Sequence, residues 1–274
     1  MAALTEVTDP DDPRLADYRE VRERDLVGRR GSFIAEGQVV LEKLVRAGRH
    51  PLRSVLLAEK RVPALQPLLA GLPRGVPVYA ASQAVMDTVV GFPIHRGILA
   101  AGSRLEMDAE TVLQGLPREA LVMGLVGIAN HDNMGGLFRN AAAFGADAVV
   151  LDADCCDPLY RKAIRVSVGA ALTVPFARGG APDDLIARLQ AAGLDVLALS
   201  PAGQTDLAEL TPPDRAAVLF GAEGPGLAPQ VLARVRTVRI AMAAGFDSLN
   251  VATASGIVLH RLVSTRQSSI ISEA

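Results

Sequence analysis

Residues 121–151 read LVMGLVGIANHDNMGGLFRNAAAFGADAVVL, and this stretch decides the predicted fold. Its first eight residues form an apolar run of the kind that becomes a buried strand, and Ala148–Leu151 forms a second run. Between the two runs, from Met134 to Phe144, the pattern is helical. A strand, a helix and another strand in this order indicate a parallel pair with a helical crossover, and therefore an α/β fold.

The same alternation continues on both sides of this unit. Upstream, strands are predicted at 32–35, 54–58, 78–80 and 97–101, with helical patterns between them. Downstream, the predicted strands are 172–174, 196–199, 216–220 and 238–240, and the predicted helices are 159–168, 183–192 and 251–263. The sequence therefore predicts an N-terminal extension, a small α/β domain, a polar linker and a larger α/β domain, at residues 1–30, 31–105, 106–120 and 121–270.

Composition and charge exclude several classes of protein. Half of the 274 residues are apolar, but only 4% are aromatic and Trp is absent, so Leu, Val, Ile and Ala must build the core. No apolar run is long enough to span a bilayer and no signal peptide is evident, which favours the cytoplasm. Cys155 and Cys156 are neighbours, which makes a disulfide or a metal site unexpected. The net charge of −2 means that any RNA-binding surface must be local.

Three segments that follow predicted strands, at 130–141, 220–227 and 240–251, differ from ordinary connections. Ligands of α/β sheets gather where such segments meet, at the carboxyl ends of the strands. In the first segment, Asn133 is placed to cap the helix, and Gly135–Gly136 would let a backbone or a phosphate approach. Arg139 near the start of this helix opposes the helix dipole, which favours a functional role. A capped helix with a solvated arginine is the alternative.

The second segment is rich in glycine but matches neither a P-loop nor the dinucleotide-binding pattern. Gly221, Gly224 and Gly226 indicate a tight turn whose backbone is open to a ligand, with Glu223 among them. A plain connection from strand to helix is the alternative.

The third segment contains a turn at residues 245–248, and Ser248 or Asn250 could cap the helix that follows. The small residues of that helix permit close packing, and such residues more often serve packing than a site; they are Ala252, Ala254 and Gly256.

Together and in this order, the segments resemble the motifs of the SpoU/TrmH class of SPOUT RNA methyltransferases. The first matches N-x-G-x-x-x-R-x-A through Asn133, Gly135, Arg139 and Ala141. The second matches G-x-E-G-x-G-(L/M) through Gly221, Glu223, Gly224, Gly226 and Leu227. The third matches I-P-M…S-L-N-V through Ile240, Met242, Ser248, Leu249, Asn250 and Val251. The resemblance covers about residues 121–262.

The resemblance has two departures and one looser extension. Asn130-His131-Asp132 stands where the family usually has Asp-Pro, and Ala241 replaces the usual Pro, so we expect altered loop stiffness with retained activity. The N-terminal half is similar to the L30e-like substrate-binding domain that often precedes this catalytic domain. Residues 33–47 and 95–100 carry that similarity.

The resemblance implies a catalytic α/β domain with a trefoil knot near its C-terminus, S-adenosylmethionine as cofactor, and methylation of a ribose 2′-hydroxyl. The implied cofactor-binding residues are Gly221, Ile240, Met242, Ser248 and Leu249. The implied catalytic residues are Arg139, Asn133, Glu223 and Asn250. Arg139 would stabilise the developing alkoxide, and Asn133 would orient Arg139 or the ribose. Glu223 would hold the polar network of the site, and Asn250 would fix the third segment. Guanidinium groups in general hold their protons too tightly to act as a general base, so the stabilising role is preferred.

The same resemblance implies an RNA substrate, with rRNA slightly favoured over tRNA, and a homodimer formed through the catalytic domain. It implies neither a metal nor a membrane. Arg161, Lys162 and Arg165 could meet phosphate, or form an exposed helix face. The alternative function is an RNA-binding protein that retains the fold without catalysis. A nicotinamide-dependent dehydrogenase is a more distant alternative, because the sequence lacks the glycine fingerprint of that class. The RNA, its nucleotide and the choice of ribose over base stay open.

Overall fold

The computed structural model describes residues 4–19, 31–246 and 248–272, with side chains as far as residue 264. Its strands are β1 (Leu4–Glu6), β2 (Ser32–Glu36), β3 (Leu52–Ala58), β4 (Val78–Ala81), β5 (Ile98–Ser103), β6 (Ala120–Leu125), β7 (Ala148–Leu151), β8 (Phe176–Arg178), β9 (Asp195–Leu199), β10 (Thr205–Asp206), β11 (Arg215–Phe220) and β12 (Arg236–Arg239). Its helices are α1 (Gln38–Ala47), α2 (Val62–Ala70), α3 (Gln83–Val90), α4 (Ala109–Gln114), α5 (His131–Ala143), α6 (Arg161–Val166), α7 (Pro182–Ala191), α8 (Pro229–Leu232) and α9 (Val251–Ser272). The predicted α/β class is confirmed.

The chain forms two compact units. Unit 1 comprises residues 1–105 and 159–173, and unit 2 comprises residues 106–158 and 174–274. This division differs from the predicted one, because residues 159–173 join unit 1 although the sequence places them inside the larger domain.

Unit 1 contains a five-stranded sheet in the order β1-β4-β3-β5-β2. Strand β1 pairs in parallel with β4, and a 3₁₀ helix at Pro13–Tyr18 buries Leu15 and Tyr18. The Tyr18 hydroxyl lies 2.7 Å from the Ser54 hydroxyl. Residues 4–19 are therefore part of the folded unit, which corrects the prediction of an extension at 1–30; residues 1–3 and 20–30 lie outside the described residues. Three residues are too few to show the alternation of a strand.

Helix α3 illustrates how local sequence sets element boundaries. The Ser82 hydroxyl accepts a hydrogen bond from the Val85 N–H at 3.3 Å, as the sequence predicted for a cap. The helix ends at Gly91, whose φ of 83° lies in the left-handed region that favours glycine.

Arg161 has an ion-pair partner inside unit 1. Its guanidinium lies 3.2 Å from the Glu36 carboxylate and 4.5 Å from the centre of the Phe92 ring, and the Arg161 side chain is 12% exposed. Neither alternative left open by the sequence, a phosphate contact or an exposed helix face, describes Arg161, because its charge already has an acidic partner and its side chain is largely buried. A basic residue in a helical pattern does not reveal a partner 125 positions away.

Unit 2 contains a seven-stranded sheet in the order β10-β12-β9-β11-β6-β7-β8, and every neighbouring pair is parallel. Its core is aliphatic, as the composition predicted.

Two local predictions for unit 2 are wrong. The linker contains α4, which Asp108 caps by accepting from the Thr111 N–H at 2.8 Å, and which buries Val112 and Leu113. The strand predicted at 172–174 lies instead at Phe176–Arg178, beside β7.

The strand order places β12 between β9 and β10, which are consecutive in the chain. The residues that join β9 to β10 must therefore cross β12. The knot itself stays a prediction. In the part of the chain that the structure describes, none of the helices is both long enough and apolar enough to cross a bilayer.

Candidate active site

The three motif segments lie at one edge of the unit 2 sheet. They follow β6, β11 and β12, and these strands run parallel, so their carboxyl ends face the same way. This is the edge at which α/β sheets bind ligands.

Asn130, and not Asn133, caps helix α5. The Asn130 side-chain oxygen accepts from the N–H groups of Asp132 and Asn133, at 2.8 and 3.3 Å. The predicted cap is wrong by three positions because helix α5 begins at His131, earlier than its apolar pattern. Asn133 instead occupies the first turn of the helix and is only 6% exposed, so its side chain is available for a tertiary contact.

A single amide links the three segments. The Asn250 side-chain nitrogen donates to the Asn133 oxygen at 2.8 Å and to the Glu223 carboxylate at 3.2 Å. The Asn250 oxygen accepts from the N–H groups of Ala252 and Thr253, at 2.9 and 3.3 Å, and so caps α9. Because both donors and both acceptor positions of the amide are used, its orientation is defined.

Helices α5 and α9 pack closely because small residues face each other. A β-carbon built on Gly136 would lie 2.6 Å from that of Ala252, so a larger residue would push the helices apart. The Asn140 amide donates to the Ala252 carbonyl at 2.6 Å and to the Ser255 hydroxyl at 2.9 Å. The close approach predicted for Gly135–Gly136 is thus a contact with another helix, which holds the first segment against the third.

The second segment folds back on itself around Gly221. A β-carbon at this position would lie 2.5 Å from the Gly226 carbonyl carbon and from the Leu227 nitrogen. The Gly226 N–H donates to the Ala222 carbonyl at 3.1 Å and closes the turn. Glycine is therefore required at residue 221 for space, because backbone atoms occupy the volume that a side chain would need.

A cavity of about 660 Å³ opens beside these turns. Its walls include all five residues predicted to bind cofactor, together with Glu223 and Asn250: the five are Gly221, Ile240, Met242, Ser248 and Leu249. The motif comparison missed another wall, formed by Leu199, Ser200 and Pro201. Leu199 ends a predicted strand and the other two residues follow it directly, which is the signal that would have found this wall.

Arg139 lies apart from this cavity wall. It is exposed and sits in the second half of α5, although the sequence placed it near the start of the helix. Among the described residues, it makes neither a hydrogen bond nor an ion pair, which leaves its guanidinium available to a substrate.

The two thiols near the first segment are structural. Burial, followed by the charge of Asp152, raises the pKa of the Cys155 thiol, and burial raises the pKa of Cys156 to about 11. The Cys155 sulfur accepts from the Ile128 N–H at 3.3 Å and lies 3.4 Å from the Leu125 carbonyl. Both thiols thus stay protonated at neutral pH, which excludes them as nucleophiles. Within the described ranges, no group of three or more His, Cys, Asp or Glu side chains could hold a metal ion.

Replacing Asn250 with alanine is expected to lower the free energy of unfolding by about 2 kcal/mol, since it removes the α9 cap and leaves the buried Asn133 oxygen without its donor. Urea denaturation of the variant measures this loss. Asn250→Ser is the matched control, because a serine hydroxyl can still cap α9 but is too short to bridge Asn133 and Glu223; it should lose less stability than Asn250→Ala. Wild-type stability in Asn250→Ala would show that the bridge is unimportant.

Comparisons with known proteins identify the family of this chain. Residues 120–260 match the model of the SpoU rRNA Methylase family. A Mycobacterium tuberculosis protein, called an uncharacterized tRNA/rRNA methyltransferase, is 40% identical over 267 residues, which cover 94% of this chain and 91% of the relative. The 23S rRNA (guanosine-2′-O-)-methyltransferase RlmB of Photobacterium profundum is 32% identical over 222 residues, which cover 77% of this chain and 89% of that relative.

A solved structure shows the same fold over nearly the whole chain. The AdoMet-bound rRNA methyltransferase of Sinorhizobium meliloti superposes with a TM-score of 0.81 at 24% identity, covering 94% of this chain and 97% of that one. The similarity to an L30e-like domain stays a prediction for unit 1. Because the family model covers more than half of the chain and includes the three converging segments, the protein belongs to the SpoU rRNA methylase family.

Proposed function

We propose that this protein transfers a methyl group from S-adenosylmethionine to a ribose 2′-hydroxyl of RNA. One observation carries the proposal: the Asn250 amide joins Asn133 and Glu223 beside the cavity, so that three distant segments form one site. Family membership supports RNA methylation, and the name of the Photobacterium profundum relative supports the ribose 2′-oxygen as acceptor.

The cavity fits S-adenosylmethionine, which is the cofactor we propose. Its volume of about 660 Å³ lies within the range of small-molecule sites. The bare backbone at Gly221 would allow a ligand to approach closely, Ile240, Met242 and Leu249 offer apolar surface, and Ser248 offers a hydroxyl. When bound there, S-adenosylmethionine supplies a methyl group activated by its sulfonium.

We assign to Arg139 the stabilisation of negative charge on the ribose oxygen as its proton leaves. A guanidinium can act there as a fixed cation and hydrogen-bond donor. Asn133, buried and held by Asn250, would orient Arg139 or the ribose, and Glu223 would hold the polar network through the same amide. These residues align the reactants, and alignment supplies much of the rate enhancement in a displacement reaction.

We further propose a homodimer formed through unit 2. Large apolar side chains are exposed on the third segment and on α9: Phe246 is 73% exposed, Ile257 is 41% exposed and Leu249 is 40% exposed. All three belong to the third segment or to the helix that follows it, and exposed large apolar side chains mark candidate interfaces. Light scattering on the purified protein tests this assembly, since a monomer at micromolar concentration would contradict it.

For the substrate, we favour rRNA over tRNA, with unit 1 as an L30e-like RNA-binding domain in a cytoplasmic enzyme. The 23S rRNA named for the Photobacterium profundum relative supports this choice, whereas the name of the Mycobacterium tuberculosis relative includes both RNAs.

The proposal is tested by mapping 2′-O-methylation in total RNA from cells with and without this protein. We expect one or a few ribose methylations to disappear and to return when purified protein and S-adenosylmethionine are added to the unmodified RNA. Cofactor binding without methylation of any cellular RNA would support the alternative of a non-catalytic RNA-binding protein. Methylation that maps to a base would overturn the ribose assignment alone.

A further inference from the structure

The turn that joins β9 to β10 crosses β12 in backbone contact. Leu199 pairs with Val238 on one side of β12, and Thr205 pairs with Val238 on the other side, so the residues between them must pass over this strand. A β-carbon at Gly203 would lie 2.6 Å from the Arg239 nitrogen. No side chain fits at this crossing without a shift of one of the two chains.

Arg239 contacts both the crossing turn and the residues that follow it. Its guanidinium donates to the Gly203 carbonyl at 3.0 Å and lies 3.8 Å from the Asp206 carboxylate on β10. Its own carbonyl accepts from the Leu207 N–H at 2.9 Å. The residue thus contacts the turn, the strand that follows it and the segment beyond.

The two segments that meet at this crossing, the β9–β10 turn and β12, both lead into residues that line the cavity. Ser200 and Pro201, within the turn, line one wall of the cavity. Ile240 and Met242, which directly follow Arg239, line another. The distance between these walls therefore depends on how firmly the turn is held against β12.

We propose that Arg239 is a positioning residue for the cofactor, because it holds the Ser200–Gly203 turn against β12 and so sets the width of the cavity. The proposal rests on the proposed function, in which this cavity binds S-adenosylmethionine. Arg239 is included neither in the family motifs nor in the cavity lining, so it would act on the cofactor through the turn.

The test compares Arg239→Met with Arg236→Met by titrating S-adenosylhomocysteine calorimetrically. Arg236 is the matched control: it lies on the same strand, its side chain is 42% exposed against 45% for Arg239, and it also has an acidic partner at 3.8 Å, Asp195. We expect Arg239→Met to weaken binding on the order of 10-fold, since a charge-assisted hydrogen bond is lost, and Arg236→Met to bind as the wild type does.

Thermal unfolding of both variants separates positioning from general stability, and Arg239→Lys extends the test if Arg239→Met does not fold. The ammonium group of lysine cannot contact Gly203 and Asp206 with the geometry of a guanidinium. The Arg239→Lys variant should therefore bind S-adenosylhomocysteine more weakly than the wild type. Wild-type affinity in a folded Arg239 variant, or equal weakening in Arg236→Met, would overturn the inference. Failure of the wild-type protein to bind S-adenosylhomocysteine would instead overturn the proposed cofactor.

Discussion

Arg139→Ala is expected to slow methyl transfer by about 10²–10³-fold or more, because one donor to a developing oxyanion contributes roughly that factor. The affinity for S-adenosylhomocysteine should stay unchanged, since Arg139 is outside the cavity wall. Single-turnover transfer of labelled methyl groups to unmodified RNA measures the rate, and calorimetry measures the affinity.

Arg188→Ala is the control for this experiment. Arg188 is likewise an exposed arginine on a unit 2 helix and likewise lies outside the cofactor cavity wall, but it belongs to none of the three motif segments. The control should methylate normally, and Arg139→Lys should recover only part of the rate, because an ammonium cannot reproduce the planar set of guanidinium donors. A normal rate in Arg139→Ala would remove Arg139 from the mechanism.

Gly221→Ala is expected to weaken S-adenosylhomocysteine binding at least about 100-fold, equivalent to roughly 2.7 kcal/mol. The added methyl group would lie 2.5 Å from backbone atoms of Gly226 and Leu227, and backbone cannot move aside as the end of a flexible side chain can. The second segment would have to open, and one wall of the cavity would be lost.

Gly224→Ala provides the comparison within the same turn. A β-carbon there meets no atom within 4 Å, although its φ of 84° makes any side chain strained by about 1 kcal/mol. This variant should therefore bind the ligand far better than Gly221→Ala. If both variants lose binding equally, backbone strain rather than the steric contact at Gly221 controls the segment.

Much of the architecture could be predicted from local sequence. Buried parallel strands are continuous apolar runs, and those ending at Leu151, Leu199 and Phe220 were recognised with nearly correct bounds. Short or polar elements were missed. Strand β1 has three residues, and α4 lies in a stretch whose polar residues resemble a linker because only one of its faces is buried.

The candidate site was predicted by motif, but its internal connections were not. The glycines of the second segment indicated a tight turn. The sequence did not show that a β-carbon at Gly221 would collide with the backbone of Gly226 and Leu227, because that backbone comes close only when the turn is folded. Similarly, Asn133 was recognised as important and given the wrong contact, since its partner is Asn250 and the cap is Asn130.

Local sequence was enough to predict the alternation of strands and helices, the three segments at the ends of strands and the family to which they belong. These depend on residues close together in the chain, where periodicity and turn chemistry act directly. Three contacts could be seen only in the folded chain: Asn250 binds Asn133 across 117 positions, Glu36 neutralises Arg161, and Arg239 holds a turn against its own strand. Such contacts depend on the positions of whole elements, which no local pattern specifies.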